Sequence, residues 1–260
     1  MAGQALQFPG IDGCVATLNA AGTFLFTNAF TFECWYKPTA DDMSGYIMLM
    51  SYSRDVTPTY LFLGMYGGKA FGQYRDGGSS RTITSDSQLT VNAWNHLVLR
   101  GELNQKPALF LNNVKKEASL VLSSGVSDNA AYIRCLGYPA GSGQHPHGAM
   151  DEARMYTVAL TDSHISEHYN GGKGEYGFAE TGLCNGYHCD GGNLDYSGNG
   201  FDYTLSSGIT YTDGIVDYPF KIQVNSQWVK PFEVKVQVGS AWKSVDKLFI
   251  NVGDIWKGLY

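Results

Sequence analysis

The chain has 260 residues, of which 32 are Gly, 13% are aromatic and only 16% are charged. That balance excludes a coiled coil, the 43% hydrophobic content excludes disorder, and Gly without a triplet period excludes collagen. The net charge of −6 argues against a general nucleic-acid binder, and no apolar run approaches the ~20 residues of a membrane-spanning helix.

The opening MAGQALQFPG has no basic segment followed by an apolar one, so no signal peptide is read there. The Cys at 14, 34, 135, 184 and 189 are odd in number and widely spread. They are read as small apolar residues of a protein made in a reducing cytoplasm. From residue 5 to residue 176 strand follows strand. Phe30–Tyr36 alternates around β-formers, and Pro38 closes it. Tyr46–Tyr52, Tyr60–Tyr66, Ala70–Tyr74 and Trp94–Arg100 come next. Ala108–Leu111 and Val114–Leu122 flank Asn112-Asn113, a pair that tolerates positive φ and suits a tight hairpin turn. Tyr132–Gly137 and Ala149–Tyr156 complete the set. One short helix is predicted over Leu160–Tyr169. Thr161 is its N-cap, Asp162 lies in the first turn, Leu160 and Ile165 hold the staple positions, and Asn170-Gly171-Gly172 stops it.

Residues 177–218 are rich in Gly, Tyr and Asp, with short strands expected at Phe201–Leu205 and Ile209–Thr212. Beyond Pro219 a 14-residue repeat begins, aligning Ile222–Trp228, Val236–Trp242 and Ile250–Trp256. Each unit reads as strand, tight turn, strand, and a three-residue loop would set Val224 across from Trp228. The charge divides at the same place: residues 1–218 hold 12 basic and 21 acidic side chains, residues 219–260 hold 6 Lys and 3 acids. Three such units are too small for a core of their own and must dock on something. Trp228, Trp242 and Trp256 are read as a buried stripe at an attachment or oligomerisation interface. Lys221, Lys230, Lys235, Lys243 and Lys257 would form its rim.

Several phrases occur in a telling order: Ala5–Gly13, Phe30–Trp35, Trp94–Val98, Leu109–Asn113, Gly148–Tyr156 and Ala159–Ile165. Together they resemble the laminin-G-like branch of the concanavalin A-like lectin/glucanase superfamily. The resemblance implies an all-β fold, a two-sheet antiparallel jelly roll with one short helix. Asn112-Asn113 stands where Asn-Gly is usual in that family. Asn193–Asp202 and Gly208–Gly214 resemble the segment that usually opens such a domain, and here they are expected to close the same roll as a circular permutation. The predicted organisation is a jelly roll over 1–176, a closing segment over 177–218 and a β-repeat module over 219–260. The Val-x-Val-Gly-x-x-Trp-Lys repeats resemble terminal modules of tailed-phage structural proteins. That implies a virion surface protein, made in the host cytoplasm, on a tail fibre, a tail tip or a decorated capsid. Its expected partners are other virion proteins and copies of itself, a trimer being the favoured order.

The glucanases of the superfamily carry Glu-x-Asp-x-x-Glu or a near variant on one strand, and nothing here matches it. Asp151 and Glu152 are adjacent, so a strand would point them to opposite faces, and hydrogen bonds to nearby backbone are their expected role. No enzyme is expected. The resemblance also allows Ca²⁺, and Asp190, Asp195, Asn199 and Asp202 crowd one Gly-rich stretch, with Asp12, Asp41 and Asp42 in other loops. These residue types also form turns, which is the favoured reading. Zinc at Cys184-x3-His188-Cys189 and His145-Pro-His147 weighs less than a Cys184–Cys189 disulfide or free thiols. Host glycans are the expected ligand, stacked on Tyr52, Tyr60, Tyr66, Tyr74 or Tyr138 and hydrogen-bonded by Arg54, Arg75, Asp76 or Arg81. Trp35 and Trp94 match core positions of the family and are read as packing. A stand-alone lectin or a carbohydrate-active enzyme is the competing class.

Overall fold

A computed structural model describes residues 3–11, 15–18, 26–53, 59–126, 133–137, 145–175, 177 and 180–216, and the six short strands beyond them. In chain order the strands are β1 (Gln4–Gln7), β2 (Val15–Leu18), β3 (Ala29–Lys37), β4 (Tyr46–Ser53), β5 (Thr59–Tyr66), β6 (Lys69–Asp76) and β7 (Ser79–Gln88). Then come β8 (Asn95–Glu102), β9 (Ala108–Leu111), β10 (Val114–Glu117), β11 (Ile133–Leu136) and β12 (Ala149–Tyr156). The helix α1 (Asp162–Tyr169) precedes β13 (Leu183–Tyr187), β14 (Thr204–Leu205) and β15 (Thr210–Asp213). One sheet has the order β10-β9-β8-β3-β12-β1-β15, with β13 also paired to β12, and the other β14-β2-β11-β4-β5-β6-β7. All of their ladders are antiparallel, so this is a two-sheet jelly roll.

The main core lies between the sheets. Phe30, Phe32, Cys34 and Tyr36 of β3 meet Leu61, Leu63 and Met65 of β5 there. β3 is buried on both faces, because its alternate residues Thr31, Glu33 and Trp35 are also covered. The cover on that side is α1, whose Ile165 packs with Val98, Phe110, Tyr156 and Leu160 in a second cluster. α1 begins as its sequence predicts: Thr161 accepts a hydrogen bond from the His164 amide at 3.2 Å. It ends on Asn170 in the left-handed region. Asn112 and Asn113 both have positive φ, so the β9–β10 turn forms with Asn-Asn.

Two differences from the sequence reading have clear causes. β7 was not predicted, because Ile83 is its one apolar residue and it runs along a sheet edge, where polar side chains are tolerated. β13 lies in the Gly-rich stretch without a strand signature, yet all five residues are buried. The segment after α1 supplies edge strands to both sheets: β14 pairs with β2 and β15 with β1.

Residues Ala2–Val216 form one compact unit, and Asp217–Tyr260 fall in another. The second holds three hairpins: β16 (Ile222–Val224) with β17 (Gln227–Val229), β18 (Lys235–Val238) with β19 (Ala241–Ser244), and β20 (Phe249–Val252) with β21 (Ile255–Gly258). Their registers correct the expected loop. Val224 pairs with Gln227 and Trp228 with Gln223, and the other units repeat this as Trp242 with Gln237 and Trp256 with Asn251. These pairings leave two residues between the strands of each hairpin, so the register moves by one residue from the expected one.

Candidate functional site

The sheet bearing β4, β5, β6 and β7 has a face turned away from the main core. Leu61, Leu63 and Met65 point inward, so the period of two sends Phe62, Gly64 and Tyr66 outward. Register carries the same face across the sheet. Tyr46 pairs with Tyr66 and Tyr66 with Lys69, while Gly64 joins Met48 to Phe71, which pairs with Thr84. Ser51, Phe62, Gln73 and Thr82 form a third row. Met48, Phe62 and Phe71 are buried there as a cluster of their own, with Tyr46 packed against them. The Tyr46 ring lies 5.3 Å from Phe62, 5.1 Å from Phe71 and 5.8 Å from Tyr66. Tyr66 is 56% exposed. Tyr46 donates to Gln73 Oε1 at 3.2 Å. Gly64 is required here, since a Cβ would sit 2.0 Å from the Ile47 carbonyl oxygen and 2.6 Å from the Phe62 ring. The result is a rigid aromatic floor with an exposed Tyr and polar side chains beside it, an arrangement that can stack a sugar's C–H face.

Of the residues expected to bind glycans, Tyr66 and Arg75 reach this face. Tyr52 and Tyr74 do not, being 1% and 2% exposed within the main core, and Tyr52 packs edge-on against Phe26. Aromatic residues on a two-layer sheet fill the inner face first, which is the reason for that correction. Asp76 and Arg81 also fall on the other side of their strands. Asp76 accepts hydrogen bonds from the backbone N–H groups of Ser123 and Ser124 and from the Ser123 hydroxyl, anchoring that loop. Arg54 and Tyr138 lie outside the described residues, and Tyr60 is in β5. Tyr46, Phe62, Phe71 and Gln73 were missed. Strand alternation groups them, but does not say which face points outward. Trp35 is buried as expected and stacks on His96 and Tyr169, while Trp94 is half-buried.

The carboxylates considered for a metal are engaged in turns. Asp195 takes the Gly186 and Ser197 amides on one oxygen and the Ser197 hydroxyl and Phe201 amide on the other. Asp202 accepts from the Asp195 amide, Asn199 donates to the Leu183 and Cys184 carbonyls, and Asp190 accepts from the Gln4 amide. Asp42 is fully buried between Tyr36, Thr39 and His147, Asp41 opens a 3-10 turn, and Asp12 is outside the described residues. Among the described residues no group of three or more His, Cys, Asp or Glu is placed to hold a metal ion. Cys184 and Cys189 are buried thiols and are not joined in a disulfide. Cys184 Sγ donates to the Met155 carbonyl, and His188 pairs with Glu152, so the grouping considered for zinc is not formed.

Asp151 and Glu152 are each 1% exposed. The regular alternation expected of them fails, because Glu152 has φ +45° at a break in the β12–β3 register. Both bond to backbone: Asp151 accepts from the amides of Glu152 and Ile215, and Glu152 from that of Gly177. Glu152 also pairs with Arg154 at 3.0 Å and His188 at 2.9 Å. Burial alone would raise the Glu152 pKa, but the charge and hydrogen bond of His188 and the charge of Arg154 lower it. Burial, with Glu152 beside it, pushes the Asp151 carboxyl well up. Both carboxyl groups are closed off from the surface of the folded body.

Two packed antiparallel sheets, with a helix against the outer side of one, make the described body a lectin-like jelly roll. Residues 11–166 match the family model of the concanavalin A-like lectin/glucanases superfamily, and the chain belongs to that superfamily. Among solved structures, a Bacteroides ovatus protein assigned to carbohydrate binding is similar with a TM-score of 0.63 at 19% identity, over 82% of this chain and 60% of that one. The heptameric SAP-like pentraxin of Limulus polyphemus gives 0.54 at 14% identity, over 82% and 95%. The receptor-binding domain of a botulinum neurotoxin of mosaic serotype C/D gives 0.50 at 12% identity, over 65% and 42%. The chain thus spans less than two thirds of the first and third of these, and the likeness at such identities is one of fold. No curated protein matches this chain.

Proposed function

We propose that this chain is a non-enzymatic glycan-binding protein of a phage virion surface. It displays the jelly roll to host glycans and uses the Trp repeat to attach to other virion proteins or to copies of itself, as a trimer. The reading is carried by the outer aromatic face, where an exposed Tyr66 is braced by Tyr46, Phe62 and Phe71. Burial of Asp151 and Glu152 supports a binding role over hydrolysis. The division of the chain into one unit over Ala2–Val216 and another holding Asp217–Tyr260 supports distinct displayed and attaching parts. The tail fibre, tail tip or capsid placement rests on the resemblance of the repeat.

The test is binding of the full chain to glycans from candidate hosts, with Tyr66→Ala as the comparison. Binding that Tyr66→Ala leaves untouched would overturn the site. A second arm deletes residues 219–260 and asks whether the chain still assembles or enters particles. Retained assembly would overturn the role given to the repeat, and glycan binding without any particle association would make this a stand-alone lectin.

A further inference from the structure

We infer that the roll carries a second ligand site, a polar groove beside α1 on the sheet that does not bear the Tyr66 face, and that this groove takes a short uncharged saccharide. The inference goes beyond the reading above and does not depend on Tyr66. Leu97 and Leu99 of β8 belong to the main core, so Val98 and Arg100 point to the other side, where α1 lies. Register extends that side to the sheet edge. Arg100 pairs with Ala108 and Ala108 with Glu117, while Val98, Phe110 and Lys115 make the next row. Asp162 meets Arg100 there from the first turn of α1. With the end of β8 and Val121, these residues line a groove of about 660 Å³. That volume falls within the roughly 300–1,000 Å³ of small-ligand sites.

The polar groups of the groove are ordered without a ligand. The Arg100 guanidinium donates to the Leu160 carbonyl at 2.6 Å, pairs with Asp162 at 2.5 Å and lies 5.1 Å from the centre of the Phe110 ring. Lys115 pairs with Glu117 at 2.8 Å and with Asp162 at 3.4 Å. Side chains from β8, α1 and β10 thus run Arg100, Asp162, Lys115, Glu117, with alternating sign. Glu102, Gln105 and Lys106 line the same groove and are exposed. A sugar hydroxyl both donates and accepts, so neighbouring hydroxyls find a carboxylate and a cation side by side, each giving a charge-assisted hydrogen bond. An anionic ligand would face Glu102, Glu117 and Asp162, and a cationic one Arg100, Lys106 and Lys115. Val121, 45% exposed in the groove, offers an apolar surface to the C–H side of a sugar ring. Side chains already held in ion pairs lose little further freedom when a ligand binds. An amino acid zwitterion would match both signs but fill only a small part of the volume.

The experiment follows backbone amide chemical shifts of the isotope-labelled full chain during titration with maltose, cellobiose and lactose, with digalacturonate and dialanine as anionic and zwitterionic comparisons. At least one neutral disaccharide should shift the amides of Gly101, Gln105 and Thr161, with a Kd on the order of 1 mM. Glu117→Gln and Lys106→Gln, both at exposed positions, should each weaken that binding about three- to tenfold, and Tyr66→Ala should leave it unchanged. Silence of these amides with every neutral disaccharide would overturn the inference. So would tighter binding of digalacturonate or dialanine in the groove, or full affinity in the Glu117→Gln, Lys106→Gln double variant. Because the shifts report position, absence of sugar binding at the Tyr66 face alone brings down the reading of that face and leaves the groove standing.

Discussion

Glu33 and His168, 135 residues apart in the chain, meet at 2.8 Å beneath α1. Glu33 rises from β3 and His168 descends from the last turn of the helix. The same carboxylate takes His96 at 2.8 Å and Arg154 at 3.4 Å. Glu180, 3.3 Å from His168 Nε2, closes the group from the far side. An isolated helix of eight residues is unstable in water, so this buried network and the apolar contacts of Ile165 hold α1 in place.

The network predicts a pH window. Burial by itself would lower the His168 pKa, but Glu33 and Glu180 outweigh it and raise it to about 9. Its contribution is complete below the unfolded value of 6.5 and is lost as pH rises through about 9, an effect on the order of 3 kcal/mol. Burial would raise Glu33, but the charges of His168 and Arg154, with hydrogen bonds from His168 and His96, hold it well below 4.5. That contribution is present above 4.5 and is lost as pH falls through the depressed folded value. Denaturant midpoints for residues 2–216 should therefore decline toward both extremes, and His168→Gln should flatten the alkaline side. An unchanged alkaline slope in that variant would refute the assignment.

Arg154→Met should be far more costly than an ordinary surface change. Arg154 is 1% exposed and bridges Glu33 and Glu152, and its side chain also reaches the Tyr196 hydroxyl and the Glu175 carbonyl. Removing it leaves two buried carboxylates short of a cation, at about 3–5 kcal/mol. Chemical denaturation measures the loss, and a value under 1 kcal/mol would show the network to be dispensable.

Phe62→Ala and Tyr66→Ala should separate stability from binding. Phe62 is fully buried, so its truncation should cost about 3 kcal/mol or more. Tyr66 is 56% exposed, and its removal should change stability by less than about 0.5 kcal/mol while weakening glycan binding at least tenfold. Thermal unfolding and a binding titration on each variant check the pair.

Gly64→Ala should disturb both properties. The added methyl collides with the Ile47 carbonyl, which the sheet fixes, and with the Phe62 ring, which the floor needs. A loss of about 1–3 kcal/mol is expected, with weaker binding from a displaced floor. A fully stable variant with unaltered binding would show that the strand shifts freely and that the floor is not rigid.

Much of the architecture was legible from local chemistry. Aromatics at alternate positions mark β3 and β5, Thr161 and Asn170 mark the ends of α1, and paired Asn marks the β9–β10 turn. Polar β7 was illegible, because an edge strand is defined by the neighbour it pairs with rather than by its own pattern. The Trp hairpins were read correctly as strand, turn and strand, but their register depends on a turn one residue shorter than expected.

The sequence by itself determined that this chain is a many-stranded β protein with an acidic body and a basic, Trp-bearing repeat, since composition, period and capping act over a few residues at a time. Only the tertiary structure decided which aromatics stay at the surface. Tyr52 and Tyr74 look as suitable as Tyr66 in the sequence, yet the second sheet covers them, while Tyr66 stays at the surface. It also decided the fate of the acids, gathering Glu33, Glu152 and Glu180 around Arg154 and His168 from distant segments. A period of two says that neighbours face opposite ways, but which way is outward depends on what the rest of the chain places against the sheet.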